Sequence, residues 1–187
     1  MHNFPRNLVP SRVFFTKGAG RHRYQLKSFE EALRQAGVAN QNLVQVSSIL
    51  PPKCKIVSKE NGLKALVPGA IAFCVMARCD TNEHGRLLAT SIGLAVPKDK
   101  NNWGYLSEVH GHGMNQQQAG DMAEDLAAEM LGTTLGLEVD PNTAWSEREQ
   151  VYKSTGLIIR TSNVTQAARG KKGAWTTTVA IAMFLFD

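Results

Sequence analysis

Runs of apolar residues divide the chain into segments of strand length. The segments that favour strands are residues 13–15, 43–50, 70–78, 87–96, 156–161 and 176–186. The runs at 70–78 and 87–96 are almost continuously apolar, which is typical of strands buried on both faces, or on one face with small residues opposite. We expect the first strand to end at Lys17-Gly18-Ala19-Gly20 and the second at Pro51-Pro52, because proline cannot continue a central strand.

Two segments favour helices. Ser28 followed three residues later by Glu31 has the form of a capping box, so a helix should run from there to Ala36 and stop at Gly37. A second helix should span residues 116–135 and end at Gly136. Its expected apolar face consists of Met122, Leu126, Met130 and Leu131.

The order of these elements predicts an α+β fold in a single domain. Many strands, two clear helices and no alternating strand–helix rhythm argue against a doubly wound sheet. A chain of 187 residues fits one domain, and no repeat or long linker divides it.

Composition excludes several classes of protein. With 43% hydrophobic and 20% charged residues, the chain is neither disordered nor a coiled coil. The longest apolar stretch, at 65–77, is interrupted by Pro68-Gly69 and is too short to span a bilayer. The first residues lack the apolar region of a secretory signal, so we expect a cytoplasmic protein with no membrane partner.

The distribution of charge and the spacing of the cysteines bear on nucleic-acid binding, disulfide bonds and zinc sites. The formal net charge of +5 is split between residues 21–23 and 169–172, with few aromatics nearby, so no nucleic-acid partner is expected. Cys54, Cys74 and Cys79 form no CxxC pair, which favours reduced, buried thiols over a disulfide framework or a zinc site.

The adjacent serines Ser47 and Ser48 are the first candidate for chemistry. Hydroxyls inside an apolar strand need partners, and both could simply bond to nearby backbone. Alternatively, a serine hydroxyl could attack the preceding carbonyl, convert the amide to an ester and break the chain by β-elimination, leaving a pyruvoyl group. A strained strand end with a nearby donor to polarise the carbonyl favours that reaction.

A pair of histidines and three single side chains also allow alternative interpretations. His110 and His112 would share one face of a strand and could bind zinc, but no third ligand is evident, so we expect no metal and a mobile loop at the site entrance. Glu108 could be an ordinary solvated carboxylate. Glu30 could only support a helix turn, and Asn42 could only form a turn.

Several linked motifs resemble those of the pyruvoyl-dependent arginine decarboxylases. The resemblance covers about residues 13–186 and rests on Phe29-Glu30-x-Ala32-Leu33, Asn42-Leu43-x-x-x-Ser47-Ser48-Ile49-x-Pro51-Pro52, Pro97-Lys98-Asp99, Gly104-Tyr105-Leu106-Ser107-Glu108, the segments 119–127 and 145–153, and Arg160-Thr161-x-Asn163-Val164-Thr165-Gln166. It implies self-cleavage between Ser47 and Ser48 into a β chain, 1–47, and an α chain, 48–187. Ser48 would become a covalent pyruvoyl group that takes the place of pyridoxal phosphate, so no dissociable cofactor is implied.

The resemblance also implies roles for three side chains. Glu108 would be the proton donor to the α-carbon after decarboxylation, a role that calls for a desolvated carboxyl. Asn42 would lie beside the scissile bond and polarise a carbonyl. Glu30 stands where archaeal members carry an aspartate that binds the guanidinium of arginine, and the longer side chain leaves substrate preference open.

The implied architecture is a four-layer αββα sandwich assembled as a trimer, or as a hexamer of two trimers, with active sites between protomers. The implied reaction converts L-arginine to agmatine and carbon dioxide, an early step of polyamine biosynthesis. The alternatives are a pyruvoyl-dependent decarboxylase of histidine or lysine, and an uncleaved, non-enzymatic α+β assembly protein.

Overall fold

The computed structural model describes residues 8–137, 147, 150 and 155–186. These residues form one mixed α+β domain with two β-sheets and three helices. In chain order the elements are β1 (Arg12–His22), α1 (Gln25–Ala36), β2 (Asn42–Gln45), β3 (Ile49–Leu50), β4 (Lys55–Ile56), α2 (Lys59–Lys64), β5 (Ile71–Thr81), β6 (Leu87–Pro97), β7 (Gly104–His112), α3 (Gln116–Thr134), β8 (Ile158–Arg169) and β9 (Trp175–Leu185). The segment 145–153 lies outside the described residues except for 147 and 150.

The two sheets differ in strand direction. The five-stranded sheet has the order β2-β5-β9-β1-β4, with β9 antiparallel to both β5 and β1, and with β2 and β4 parallel to their neighbours. The four-stranded sheet has the order β3-β7-β6-β8 and is antiparallel throughout. The apolar runs at 70–78, 87–96 and 176–186 therefore lie on β5, β6 and β9, as the sequence predicts.

Each sheet carries a helix, and the sheets pack on each other. Helix α1 covers the five-stranded sheet through a buried cluster that includes Phe14, Ile181 and Met183. Residues of alternate parity, such as Val13 and Ala180, point the other way and pack against the four-stranded sheet. Helix α3 covers the four-stranded sheet on its remaining face.

The first strand is longer than predicted. We expected it to end at residues 17–20, but β1 continues through them and pairs with β9 as far as His22. The glycines are needed for helix packing, since a Cβ at Gly18 would lie 2.1 Å from the carbonyl oxygen of Ala32, and one at Gly20 would lie 2.0 Å from that of Ser28. Their role is close approach of α1 to the sheet.

The predicted start of α1 is wrong. The helix begins at Gln25 after Tyr24, whose side chain makes no capping bond, and Ser28 is buried inside the helix. The hydroxyl of Ser28 bonds instead to Thr177 of β9. The predicted end is confirmed, because Gly37 follows Ala36 with a φ of 90°, which favours glycine.

Helix α3 occupies the predicted residues, and its expected apolar face is confirmed at Leu131, which is fully buried, but is wrong at Met122. Met122 is 49% exposed, whereas small residues such as Ala119, Ala123 and Ala127 are fully buried. The reason is close packing, since a Cβ at Gly93 of β6 would lie 2.0 Å from the carbonyl oxygen of Ala123. Among the described residues, no helix is long and apolar enough to cross a membrane.

Candidate active site

The Ser47–Ser48 bond lies where the chain passes from one sheet to the other. The sequence predicts a single strand at 43–50, but the structure divides it into β2 of the five-stranded sheet and β3 of the four-stranded sheet. The backbone N–H of Val46 still donates to the carbonyl of Cys74, at 2.9 Å. The carbonyl of Ser48 already accepts from the N–H of Leu106 in β7, at 2.8 Å. The two serines are therefore held from both sides.

The carbonyl that precedes Ser48 has its own hydrogen-bond donor. The N–H of Ile49 donates to the carbonyl oxygen of Ser47 at 2.9 Å, which closes a γ-turn centred on Ser48. A donor on this oxygen draws electron density from the carbonyl carbon and stabilises the negative charge that builds up when the carbon is attacked. Since Ser47 is exposed, the bond is also accessible.

The hydroxyl of Ser48 meets a carboxylate. Its Oγ donates to Oε2 of Glu108 at 2.9 Å. Glu108 lies in the middle of β7, opposite Ile92 of β6, so the pairing of β7 with β6 holds its backbone. Ser48 is half-buried and Glu108 is exposed in the single chain. A carboxylate within hydrogen-bond distance of a hydroxyl can take its proton as that oxygen attacks a carbonyl.

An apolar cavity borders the same bond. It encloses about 280 Å³ and is lined by Leu8, Pro10, Val46, Ser47, Ile49, Pro51, Phe73, Phe184 and Phe186. The rings of Phe73 and Phe186 pack edge to face, with centroids 5.6 Å apart. The cavity thus places hydrocarbon side chains next to Ser47.

Asn42 stands at the far end of β2 from the serines. Its Nδ2 donates to the carbonyl of Gly69 at 2.7 Å, and its backbone pairs with Ile71 of β5. The strand rise places it about 10 Å from Gln45, the last residue of β2. Within one chain, the structure does not bring Asn42 to Ser48.

Glu30 lies on α1, on the side of the five-stranded sheet that faces away from β7. Its carboxylate contacts Nζ of Lys27 at 2.5 Å and also pairs with the guanidinium of Arg34. The hydrogen bond from Lys27 is the largest effect and lowers the pKa of Glu30; desolvation comes next and raises it, and the hydrogen bond and charge of Arg34 lower it again, so that the pKa is lowered on balance. The Glu30 carboxylate is therefore stabilised in its charged form. In the chain, strand β2 separates its helix from the two serines.

His110 and His112 are in strand β7, so the predicted mobile loop is wrong. They pair with Thr90 and Leu88 of β6 and share one face of the sheet, as expected. Nε2 of His112 lies 3.1 Å from the carbonyl oxygen of Asp80 and 3.6 Å from Sγ of Cys79. Within residues 8–137 and 155–186, no group of three or more histidine, cysteine, aspartate or glutamate side chains could hold a metal ion.

The three cysteines carry free thiols, as predicted. Cys74 and Cys79 are buried and Cys54 is half-buried. Burial raises the pKa of Cys54 to about 11, and burial together with the nearby charge of Glu108 raises that of Cys74 to about 12. These thiols are therefore protonated at neutral pH, which suits packing and not nucleophilic attack.

Sequence reasoning missed the two backbone donors, Ile49 N–H and Leu106 N–H. No side chain signals either of them, because any residue except proline carries the same group. Only the γ-turn and the register of β3 against β7 reveal them.

The chain is similar over nearly its whole length to proteins of one kind. Residues 12–187 match a family model described as pyruvoyl-dependent arginine decarboxylase. A probable pyruvoyl-dependent arginine decarboxylase from Chloroherpeton thalassium is 60% identical over 95% of this chain and 98% of the relative. Another, from Chlorobium phaeovibrioides, is 56% identical over 96% of this chain and 99% of the relative. Pyruvoyl-dependent arginine decarboxylase 2 from Methanosarcina mazei is 55% identical over 95% of this chain and 98% of the relative.

Proposed function

Since the chain belongs to the pyruvoyl-dependent arginine decarboxylases and is an enzyme of that family, we propose that it matures by cutting its own Ser47–Ser48 bond. The smaller product would be the β chain, residues 1–47, and the larger the α chain, residues 48–187. The α chain would begin with a pyruvoyl group made from Ser48. The whole sequence, 1–187, would thus be one domain that is cut once.

One observation carries this proposal. The Ser48 hydroxyl bonds to Glu108 at 2.9 Å, while the carbonyl that it would attack accepts a bond from Ile49 N–H at 2.9 Å. A base for the nucleophile and a donor for the carbonyl oxygen therefore flank one peptide bond. If the hydroxyl merely completed backbone hydrogen bonding, it would have no need of a carboxylate partner.

The cleavage can be written with all atoms accounted for. Ser48 Oγ bonds to the carbonyl carbon of Ser47 as its proton passes to Glu108, and Glu108 returns that proton to the nitrogen as the C–N bond breaks to leave an ester and a free amine. Transfer of the Ser48 α-proton to water then accompanies the breaking of the Cβ–Oγ bond, which frees residues 1–47 as a carboxylate and leaves dehydroalanine. Water converts that residue to the ketone and releases ammonia.

The residues present fit such a group at position 48. A pyruvoyl group supplies a ketone that can bind the substrate's α-amino group covalently and accept the electron pair left when carbon dioxide departs. Glu108 lies at hydrogen-bond distance from this position before cleavage. We therefore assign it the return of a proton to the α-carbon of the substrate after decarboxylation. No pyridoxal phosphate and no metal is needed for these steps.

Glu30 and Asn42 fit the site only if a second copy of the chain contributes. Glu30 lies on the outer face of the five-stranded sheet, and Asn42 is at the remote end of β2. We propose that a neighbouring protomer in a trimer, or in a hexamer of two trimers, supplies Glu30 to bind the guanidinium of L-arginine. A planar guanidinium can donate two parallel bonds to one carboxylate. Asn42 would polarise a carbonyl near the pyruvoyl group in the same assembly.

The packing supports the wider arrangement that the family implies. Buried clusters lie between α1 and the first sheet, between the two sheets, and between the second sheet and α3, which favours a four-layer αββα sandwich. We place the enzyme in the cytoplasm, where agmatine formed from arginine would enter polyamine biosynthesis.

The substrate test is direct. Purified protein is incubated separately with L-arginine, L-lysine and L-histidine, and carbon dioxide and the amine product are quantified. The proposal predicts agmatine as the product and a kcat/KM for arginine at least about 100-fold above those for lysine and histidine. The side chain of lysine is shorter and that of histidine is shorter and largely uncharged, so either would leave the Glu30 carboxylate poorly paired. Equal rates with the three amino acids would contradict it.

A further inference from the structure

A half-buried ion pair braces the end of β5 next to α1. Arg78 donates to Asp80 through two nitrogens, Nε at 2.9 Å and Nη2 at 3.2 Å. The side chain of Asp80 is only 17% exposed. Such a two-point bond fixes the direction of both side chains, unlike a flexible surface pair.

Asp80 also connects to the helix through two buried hydroxyls. Thr177 of β9 donates its single proton to Oδ1 of Asp80 at 2.5 Å. Its Oγ1 lies 2.7 Å from Oγ of Ser28 in α1, and the single proton of Ser28 is shared between Thr177 and the carbonyl oxygen of Gln25, which is also 2.7 Å away. Both hydroxyl residues are fully buried. A helix turn is thereby tied to a charged group on the sheet.

A second contact reaches the same turn. The guanidinium carbon of Arg78 lies 3.9 Å from the centre of the Phe29 ring, a cation–π geometry. Ser28 and Phe29 directly precede Glu30 in the chain. Asp80 and its partners therefore contact the two residues that immediately precede Glu30.

The other end of this chain of contacts lies on the strand of Glu108. Nε2 of His112 is 3.1 Å from the backbone oxygen of Asp80. His112 and Glu108 both belong to β7. We call Ser28, Phe29, Arg78, Asp80, His112 and Thr177 the Asp80 network. It runs from the four-stranded sheet, through the five-stranded sheet, to the first turns of α1.

We propose that the residues of the Asp80 network are positioning residues, which hold the Glu30 carboxylate in the place where it binds the substrate. This inference rests on the proposed role of Glu30 as the acceptor of the guanidinium. A helix turn that can shift by about 1 Å loses much of a two-point bond, so affinity for arginine should depend on the network. None of its members need touch the substrate.

Thr177→Val is the sharpest test, because it removes one hydroxyl and keeps the shape of the side chain. The matched control is Thr165→Val, on β8 under α3. Thr165 is also buried and bonds at 2.7 Å to the hydroxyl of Ser91 and at 2.7 Å to Oδ1 of Asn163. Both variants lose the hydrogen bonds of one buried hydroxyl and both should lower the melting temperature, Thr177→Val by more because its partner Asp80 is charged.

We expect Thr177→Val to raise KM for L-arginine about five-fold or more with kcat within about two-fold of the wild type, and Thr165→Val to leave KM unchanged. Equal KM values for the two variants would overturn the inference. Ser28→Ala, which removes the neighbouring hydroxyl, replaces Thr177→Val if the latter fails to fold, and the same KM result is expected.

A double variant separates this inference from the proposed function. In a Glu30→Gln background, Thr177→Val should have no further effect on KM, because it acts through Glu30. If Glu30→Gln alone leaves KM unchanged, the proposed role of Glu30 fails and the inference fails with it. If Glu30→Gln raises KM and Thr177→Val does not, only the Asp80 network is refuted.

Discussion

Glu108 and Glu30 are the two carboxylates for which we propose roles in the reaction, and their surroundings in the single chain are opposite. Glu108 contacts a neutral hydroxyl, that of Ser48, and takes part in none of the ion pairs found among residues 8–137 and 155–186. Glu30 is held between two cations, Lys27 and Arg34. The partner of Glu108 is a hydroxyl that can donate its proton, whereas the partners of Glu30 are cations that stabilise its negative charge.

This difference assigns the two residues different work. The cations lower the pKa of Glu30 and so keep it ionised, which suits a counter-ion for a guanidinium and not a proton carrier. Glu108 is held in β7 by its pairing with β6 and accepts the bond from the Ser48 hydroxyl, so a proton can pass between the two side chains.

Ser48→Ala should abolish both cleavage and activity, because it removes the oxygen that attacks the carbonyl and the precursor of the pyruvoyl group. A denaturing gel and an agmatine assay measure the two effects. Ser47→Ala is the control, since the proposal uses only the backbone carbonyl of Ser47, and this variant should be cleaved. Cleavage of Ser48→Ala at the same bond would refute the assigned nucleophile.

Glu108→Gln should lower kcat by about 10²- to 10⁴-fold, the usual contribution of a positioned acid or base, and should slow cleavage. The fraction of cleaved chain is measured by gel, and kcat is expressed per cleaved chain. Glu60→Gln changes an exposed carboxylate on α2 and should leave both quantities unchanged. Normal cleavage with full turnover in Glu108→Gln would show that the role is wrong.

Glu30→Gln should raise KM for arginine about ten-fold or more while kcat changes little, because a hydrogen bond to a charged group is worth about 1.5–3 kcal/mol. Steady-state kinetics on the cleaved enzyme provide both constants. Glu31→Gln is a neighbouring control on the same helix. A large fall in kcat with unchanged KM would instead give Glu30 a part in proton transfer and remove the contrast.

Lys27→Gln should change only the pH dependence of KM. In the wild type, the lowered pKa of Glu30 keeps the carboxylate charged as the pH falls, and KM rises only when the pH passes below that value. Without Lys27, the first cause of the lowering is lost, so the rise should begin at a higher pH. Lys64→Gln, which breaks the Glu60–Lys64 pair on α2, should leave the profile unmoved. Superimposable profiles for Lys27→Gln and wild type would contradict the prediction.

Hydrophobic patterning predicted the fold well where strands are long and buried. The runs on β5, β6 and β9 and the stop of α1 at Gly37 follow directly from it. It failed at the contact of α1 with its sheet, because Gly18 and Gly20 look like turn formers in sequence but serve as points of close approach. On α3 it was wrong at Met122 and right at Leu131, because small residues take the positions of closest packing.

The site was predictable only in part. Ser47, Ser48 and Glu108 were singled out from motifs, and the structure brings Ser48 and Glu108 together. The split of residues 43–50 between two sheets was not predictable, because an apolar run carries no sign of which sheet each half will join. Nor could the sequence pattern reveal that Thr177 contacts Ser28 and Asp80, because both Thr177 and Asp80 lie far in sequence from the helix turn of Ser28.

The intact mass of the purified, denatured protein is the most direct test of whether the Ser47–Ser48 bond is cut and Ser48 becomes the pyruvoyl group. We expect two chains, residues 1–47 at their encoded mass and residues 48–187 lighter than encoded by one ammonia. A single species at the uncleaved mass of 20.4 kDa in an active preparation would contradict it.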